Sequence, residues 1–211
     1  MISMTIIIII LTVIISLISL NNRNIQGKLM LNPYLVHHGK QFYRVLAHAF
    51  IHADYVHLFF NMWVLYAFGL TVETDFVSSF GILGELYFFI LYFGGILFAS
   101  VPALKKHKDN IHYNSLGASG AVSAVLFSSI ILHPVDSKIG LLFLPPELFL
   151  PAFIFGVVYL LFEWFMNKRG GGRVAHDAHI FGAIYGVLFT FLLGPDVFYH
   201  FLEEIKSFFG G

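Results

Sequence analysis

The stretch Gly117-Ala118-Ser119-Gly120-Ala121-Val122-Ser123-Ala124 opens a segment, residues 115–133, that contains no Asp, Glu, Lys or Arg. About 20 consecutive apolar residues are needed to cross a bilayer as a helix, so this segment reads as a membrane span. Ser119 then lies about one helical turn inside the lipid. Such a hydroxyl is either a small packing group or a nucleophile supplied with a base and a path for water. The flanking glycines fit both readings. They allow a neighbouring helix to approach closely, and they allow a substrate backbone to do the same.

Working outward, five further stretches have span-like length: roughly residues 2–20, 57–76, 79–101, 147–166 and 176–194. Of the 211 residues, 58% are hydrophobic and only 11% are charged. A soluble domain of this size would carry about 25% charged residues. The expected class is therefore an all-α polytopic membrane protein, forming a single membrane domain over residues 1–211. The first twenty residues lack both a basic flank and a small-residue cleavage site, so they are expected to be a retained span. Formal net charge is +0, which gives no footing for nucleic-acid binding, and the absence of cysteine excludes thiol and disulfide chemistry.

If each stretch crosses once, the second, fourth and sixth run in the same direction and begin at the same membrane face. His57 starts the second. Ser119 lies about one turn into the fourth, and His179 about one turn into the sixth. An imidazole in a span is expensive and is by default a functional candidate. Desolvation favours its neutral form, which can accept a proton. Gly182 and Gly186, three and seven residues further on, would let the sixth span press against the fourth. His57 and Asn61 share a helix face at i, i+4 and can both donate hydrogen bonds. Each residue also has a plainer reading: an interfacial histidine, or a polar pair satisfying a helix start.

A metal reading stays open at this level. His48 and His52 are spaced i, i+4, and His176 and His179 i, i+3, but there is no H-E-x-x-H and no thiolate. Glu85 and Glu163 lie near span ends and are expected to be interfacial, solvated carboxylates. The first connection, residues 21–56, is too apolar for a free linker and is expected to pack partly in the membrane interface. The glycine run Gly170-Gly171-Gly172 is expected to be mobile, and the tail from Pro195 reads as amphipathic.

In combination these motifs resemble the rhomboid intramembrane serine proteases over nearly the whole chain. Gly117-Ala118-Ser119-Gly120 is similar to the family's G-x-S-G segment. Ala178-His179 with Gly182 and Gly186 resembles its A-H-x-x-G-x-x-x-G span, and His57 to Asn61 its H-x-x-x-N span. Tyr43-Arg44 resembles the Trp-Arg pair of its first loop. The resemblance implies a six-transmembrane-helix bundle around a hydrated cavity and a Ser–His dyad without an aspartate. Ser119 would be the nucleophile and His179 the general base. His57, Asn61 and the Ser119 backbone N–H would form the oxyanion hole. The implied partners are transmembrane protein substrates and the lipid bilayer, with no cofactor and no metal. The fifth span and the loop at 167–173 would form a gate and cap.

Two positions depart from the pattern. Ser123 stands where the family often has a tyrosine packed under the histidine ring, so His179 must be held in another way. Tyr43 replaces the first-loop tryptophan. The resemblance also implies a bacterial inner-membrane protein with its active face outward. Arg23, Lys28, Lys40, Arg44, Lys105, Lys106, Lys108, Lys168, Arg169 and Arg173 would lie on that face, with only Lys138 and Lys206 opposite. By charge alone that face would point inward. The other readings to set against the protease are a metal-binding or transport protein using the histidine clusters, and a non-catalytic membrane chaperone on the same scaffold.

Overall fold

The computed structural model describes residues 3–140, 145–169 and 175–210. It is an all-α bundle with an inverted surface. Helix α1 (Met4–Leu20) exposes Ile7, Ile10, Leu11, Ile14, Leu17 and Ile18 and buries Thr5, Ile8, Thr12, Ser16 and Ser19. Small and polar groups inside with large apolar groups outside is the pattern of a helix solvated by lipid. A polar group buried in such a helix needs a partner inside the protein. The carboxylate of Glu73 supplies several of them, accepting from Ser3 Oγ (2.6 Å), Met4 N (2.6 Å), Thr5 N (2.9 Å) and Thr5 Oγ1 (2.7 Å). Glu73 belongs to α5 (Tyr55–Phe80) and caps the free N–H groups of α1.

The connection between α1 and α5 is structured. It forms the short helices α2 (Arg23–Leu29), α3 (Pro33–His37) and α4 (Arg44–Ala47), followed by a 3-10 turn at His48–Phe50. Asn22 and Asn32 cap the first two helices. Arg44 is buried, with Nη1 donating to the carbonyls of Gly27 (2.9 Å) and Met30 (2.8 Å) and Nε to Gln41 Oε1 (2.6 Å). It is a staple of this connection and not a free surface charge.

Helix α6 (Ile82–Lys106) follows α5 after Gly81, whose φ of 58° stops the first helix. Helix α7 (Ser119–Leu132) is the centre of the bundle, with every residue from Gly120 to Ile131 buried. A two-strand ribbon, Lys138–Ile139 with Leu150–Pro151, leads into α8 (Ala152–Arg169). Then come α9 (His176–Leu192) and the amphipathic α10 (Pro195–Gly210), bent away from it by 111°.

The six apolar stretches thus correspond to α1, α5, α6, α7, α8 and α9, with shifted ends. The fourth starts at Ser119 and not at 115, because Gly117 holds a φ of 119°. The fifth starts at Ala152 and not at 147, because the ribbon and prolines 145, 146 and 151 precede it. Among the described residues, α5 and α6 are each long and apolar enough to cross a membrane alone, whereas α1 and α7 are shorter apolar helices.

Close approach around α7 depends on glycine. A Cβ on Gly182 would fall 2.8 Å from the carbonyl carbon of Gly120, and one on Gly186 2.8 Å from that of Ala124. From α6, a Cβ on Gly95 would meet Ala124 Cβ at 2.9 Å. The expected pressing of the sixth apolar segment onto the fourth is therefore present as backbone contact between α9 and α7.

Candidate active site

Ser119 is the first residue of α7, and His179 lies in the first turn of α9. The glycine contacts that join these helices bring Ser119 Oγ to 2.7 Å from His179 Nε2. The two side chains therefore meet laterally, which their positions along the chain left open. The residue before Ser119, Ala118, makes no side-chain cap, so the first N–H groups of α7 have no intrahelical partner. Those donors and the positive end of the helix dipole face the region where negative charge would develop on a carbonyl attacked by Ser119.

The chain leading into Ser119 is held from behind by the first connection. Gly117 N donates to the carbonyl of His48 (2.9 Å), and Ala118 N makes a long contact (3.5 Å) with His52 Nε2. His52 Nδ1 in turn lies 2.9 Å from Ser16 Oγ, and His48 Nε2 lies 3.1 Å from Ser100 Oγ. The two rings thus serve different partners, so this pair does not form the metal site that its spacing allows. Burial lowers the His48 pKa to about 4 and that of His52 to about 3. Neutral His52 is required here, since its Nε2 must accept from Ala118.

Asp54 caps α5, accepting from His57 N at 2.8 Å. The His57 ring sits against Gly117, where an added Cβ would meet its Cε1 at 2.7 Å. The ring also meets that of His52 edge-on, with centroids 4.9 Å apart. Asn61 Nδ2 donates to the His57 carbonyl (2.9 Å), so one of its protons is already engaged. Of the expected oxyanion donors, the Ser119 N–H is on the same residue as the hydroxyl, the His57 ring lies against Gly117, two residues earlier, and Asn61 lines a cavity that Ser119 also lines. That cavity, of about 390 Å³, opens between α5, α7 and α8, and both Ser119 and Lys138 line it. Its walls are largely apolar, with Phe60, Trp63, Leu126 and Phe155 among them.

The expectation for Glu163 needs correction. It is not a solvated interfacial carboxylate: it is 5% exposed and buried against α9. Its Oε1 lies 3.0 Å from His179 Nδ1 and its Oε2 2.6 Å from His176 Nδ1. One turn earlier on α8, Tyr159 OH lies 3.0 Å from Ser123 Oγ. A signal for this was present in the sequence. Glu163 is an ionisable residue in an apolar stretch, and such residues are costly unless they have a partner. The ligand-capable atoms of Glu163, His176 and His179 lie within 4.8 Å of one another, the one group among the described residues able to hold a metal ion. The glycine run at 170–172, assigned above to a cap, lies outside the described residues.

A family model described as the Rhomboid domain matches residues 39–196. The chain is 29% identical over 154 residues to RHOMBOID-like protein 12, mitochondrial, of Arabidopsis thaliana, covering 66% of this chain and 43% of that protein. It is 29% identical over 160 residues to Rhomboid protein 1, mitochondrial, of Saccharomyces cerevisiae, covering 72% and 42%. It is 29% identical over 146 residues to Presenilin-associated rhomboid-like protein A, mitochondrial, of Danio rerio, covering 66% and 34%. The chain therefore spans less than half the length of these curated relatives. All three are mitochondrial by name, which does not support the expected bacterial membrane.

Proposed function

The chain belongs to the rhomboid family, and from that premise we propose that it is an intramembrane serine endopeptidase cutting transmembrane protein substrates. The observation that carries this reading is the 2.7 Å contact between Ser119 Oγ and His179 Nε2 across two helices. In the proposed reaction, His179 Nε2 takes the proton of the Ser119 hydroxyl as Oγ bonds to the scissile carbonyl carbon. The carbonyl electron pair moves onto its oxygen, beside the Ser119 N–H and the His57 ring. The tetrahedral species collapses as His179 returns the proton to the leaving amine, and water then hydrolyses the acyl-enzyme. A hydrogen-bond donor at the developing oxyanion typically contributes about 10²–10³ in rate. Asn61 joins the donors if the amide turns from the His57 carbonyl. The apolar walls of the cavity between α5 and α8 support a helical, membrane-borne substrate, which would reach Ser119 from the lipid.

The test is covalent labelling by a serine-directed fluorophosphonate, run beside cleavage of a transmembrane substrate in proteoliposomes. Wild type is expected to label and cleave. Ser119→Ala should do neither, and His179→Ala should lose cleavage while remaining folded. Wild type that neither labels nor cleaves any transmembrane substrate would leave the scaffold reading, a non-catalytic membrane chaperone, in its place.

A further inference from the structure

We propose that Glu163 is a positioning residue for His179, completing a Ser119–His179–Glu163 relay in which α8 does what an α7 side chain does not. This rests on the protease reading above. For His179 to act as base, Nε2 must be free to accept and the single proton of the neutral ring must sit on Nδ1. An ionised carboxylate only accepts hydrogen bonds. Placed 3.0 Å from Nδ1, Glu163 Oε1 selects that tautomer and fixes the ring's rotation. Once Nε2 has taken the serine proton, the ring carries two N–H groups and a positive charge. Glu163 then faces that charge, remains ionised and takes no proton, the role of the carboxylate in serine-protease triads.

The carboxylate is itself held. Oε2 receives His176 Nδ1 at 2.6 Å, and the side chains of Glu163 and His176 are 6% and 11% exposed. Four residues before Glu163, on the same face of α8, Tyr159 bonds to Ser123. Ser123 is the position at which no aromatic ring is available to support His179. The support arrives instead from α8, through Tyr159 on Ser123 and Glu163 on His179. A single cation at this cluster is the rival reading. Against it, the two carboxylate oxygens are divided, each facing a different imidazole at hydrogen-bond distance, whereas one ion would draw both rings to a common point.

The test uses the full chain in proteoliposomes, with a transmembrane substrate, fluorophosphonate labelling and metal analysis of the purified protein. Glu163→Gln is expected to lower kcat by up to about 10⁴-fold, the scale seen when a triad carboxylate becomes an amide, with KM within about twofold. Glu163→Asp should recover a substantial part of kcat, because it restores the charge. His176→Ala should lower kcat less than Glu163→Gln does. A purely structural role would lower the melting temperature and would not separate kcat from KM. Cleavage by Glu163→Gln within about threefold of wild type overturns the inference and leaves the Ser119–His179 reading intact. If Glu163→Gln does not fold, Glu163→Asp decides: reduced kcat at unchanged KM supports the relay, and wild-type kcat overturns it. Stoichiometric zinc in the wild-type protein, with cleavage changed by its removal, would reassign Glu163 as a ligand and also overturn the proposal.

Discussion

Gly182→Ala isolates the dependence of the Ser–His contact on helix packing. In an exposed helix this change would add roughly 0.8–1 kcal/mol of stability, because alanine is the better helix former. Here the new methyl would stand 2.8 Å from the Gly120 carbonyl carbon and 3.2 Å from Gly120 Cα. Ordinary carbon contacts lie at about 3.5–4.0 Å, so α9 and α7 must separate by something on the order of 1 Å. Backbone cannot yield as a flexible side chain can, and overpacking of this kind costs about 1–3 kcal/mol. Packing therefore outweighs propensity, and the net expectation is a destabilised protein. The same separation is applied one residue after Ser119 and three residues after His179, so the 2.7 Å contact opens to beyond hydrogen-bond range. Misplacement of about 1 Å at a reacting pair can reduce rate about 10²-fold. The assay is cleavage of an internally quenched transmembrane peptide in proteoliposomes, paired with thermal unfolding. Gly27→Ala is the control, since an added Cβ there meets nothing within 4 Å. If Gly182→Ala cleaves within threefold of wild type and melts no lower, the claim that glycine contact sets the dyad geometry is wrong.

Two further outcomes concern the scaffold. Glu73→Ala leaves the hydroxyls of Ser3 and Thr5 and the N–H groups of Met4 and Thr5 without their acceptor. Hydrogen bonds to a charged group contribute about 1.5–3 kcal/mol each, and each kcal/mol is worth about 2–4 °C in a chain of this size, so a fall of more than about 10 °C in melting temperature is expected; an unchanged melting temperature would show that Glu73 does not anchor α1. Acid should loosen the support behind Ser119. His48 and His52 have folded pKa values of about 4 and about 3, below the unfolded 6.5. The unfolded chain thus binds protons first, and the contribution of both rings, complete above about pH 6.5, is lost as pH falls from there toward about 4 for His48 and about 3 for His52. The slope is about 1.4 kcal/mol per pH unit for each ring at most. Melting temperature followed across that range should fall less steeply in His52→Gln than in wild type, and equal slopes would remove His52 from the account.

Much of the site was legible in the chain itself. The apolar stretches place Ser119 and His179 near the starts of two helices, and the glycines at 182 and 186 indicate that those helices touch. The role of the first connection was less legible. His48 and His52 read as a ligand pair by spacing, yet one ring turns to Ser100 and the other to Ser16. Spacing along a short helix or turn says which residues are neighbours. It does not say which groups on other segments each will meet.

Sequence alone determined the class of molecule and put forward Ser119 and His179 as a candidate pair, because apolar length and residue spacing act along one dimension. The rotation of α8 about its own axis was decided only by tertiary packing. A carboxylate at position 163 has the same local sequence whether it faces lipid headgroups or an imidazole. What chose between them was the docking of Tyr159 on Ser123 and of Glu163 on the two histidines of α9. These are contacts between separate helices, and in an apolar medium a buried charge is tolerated only where such partners already stand.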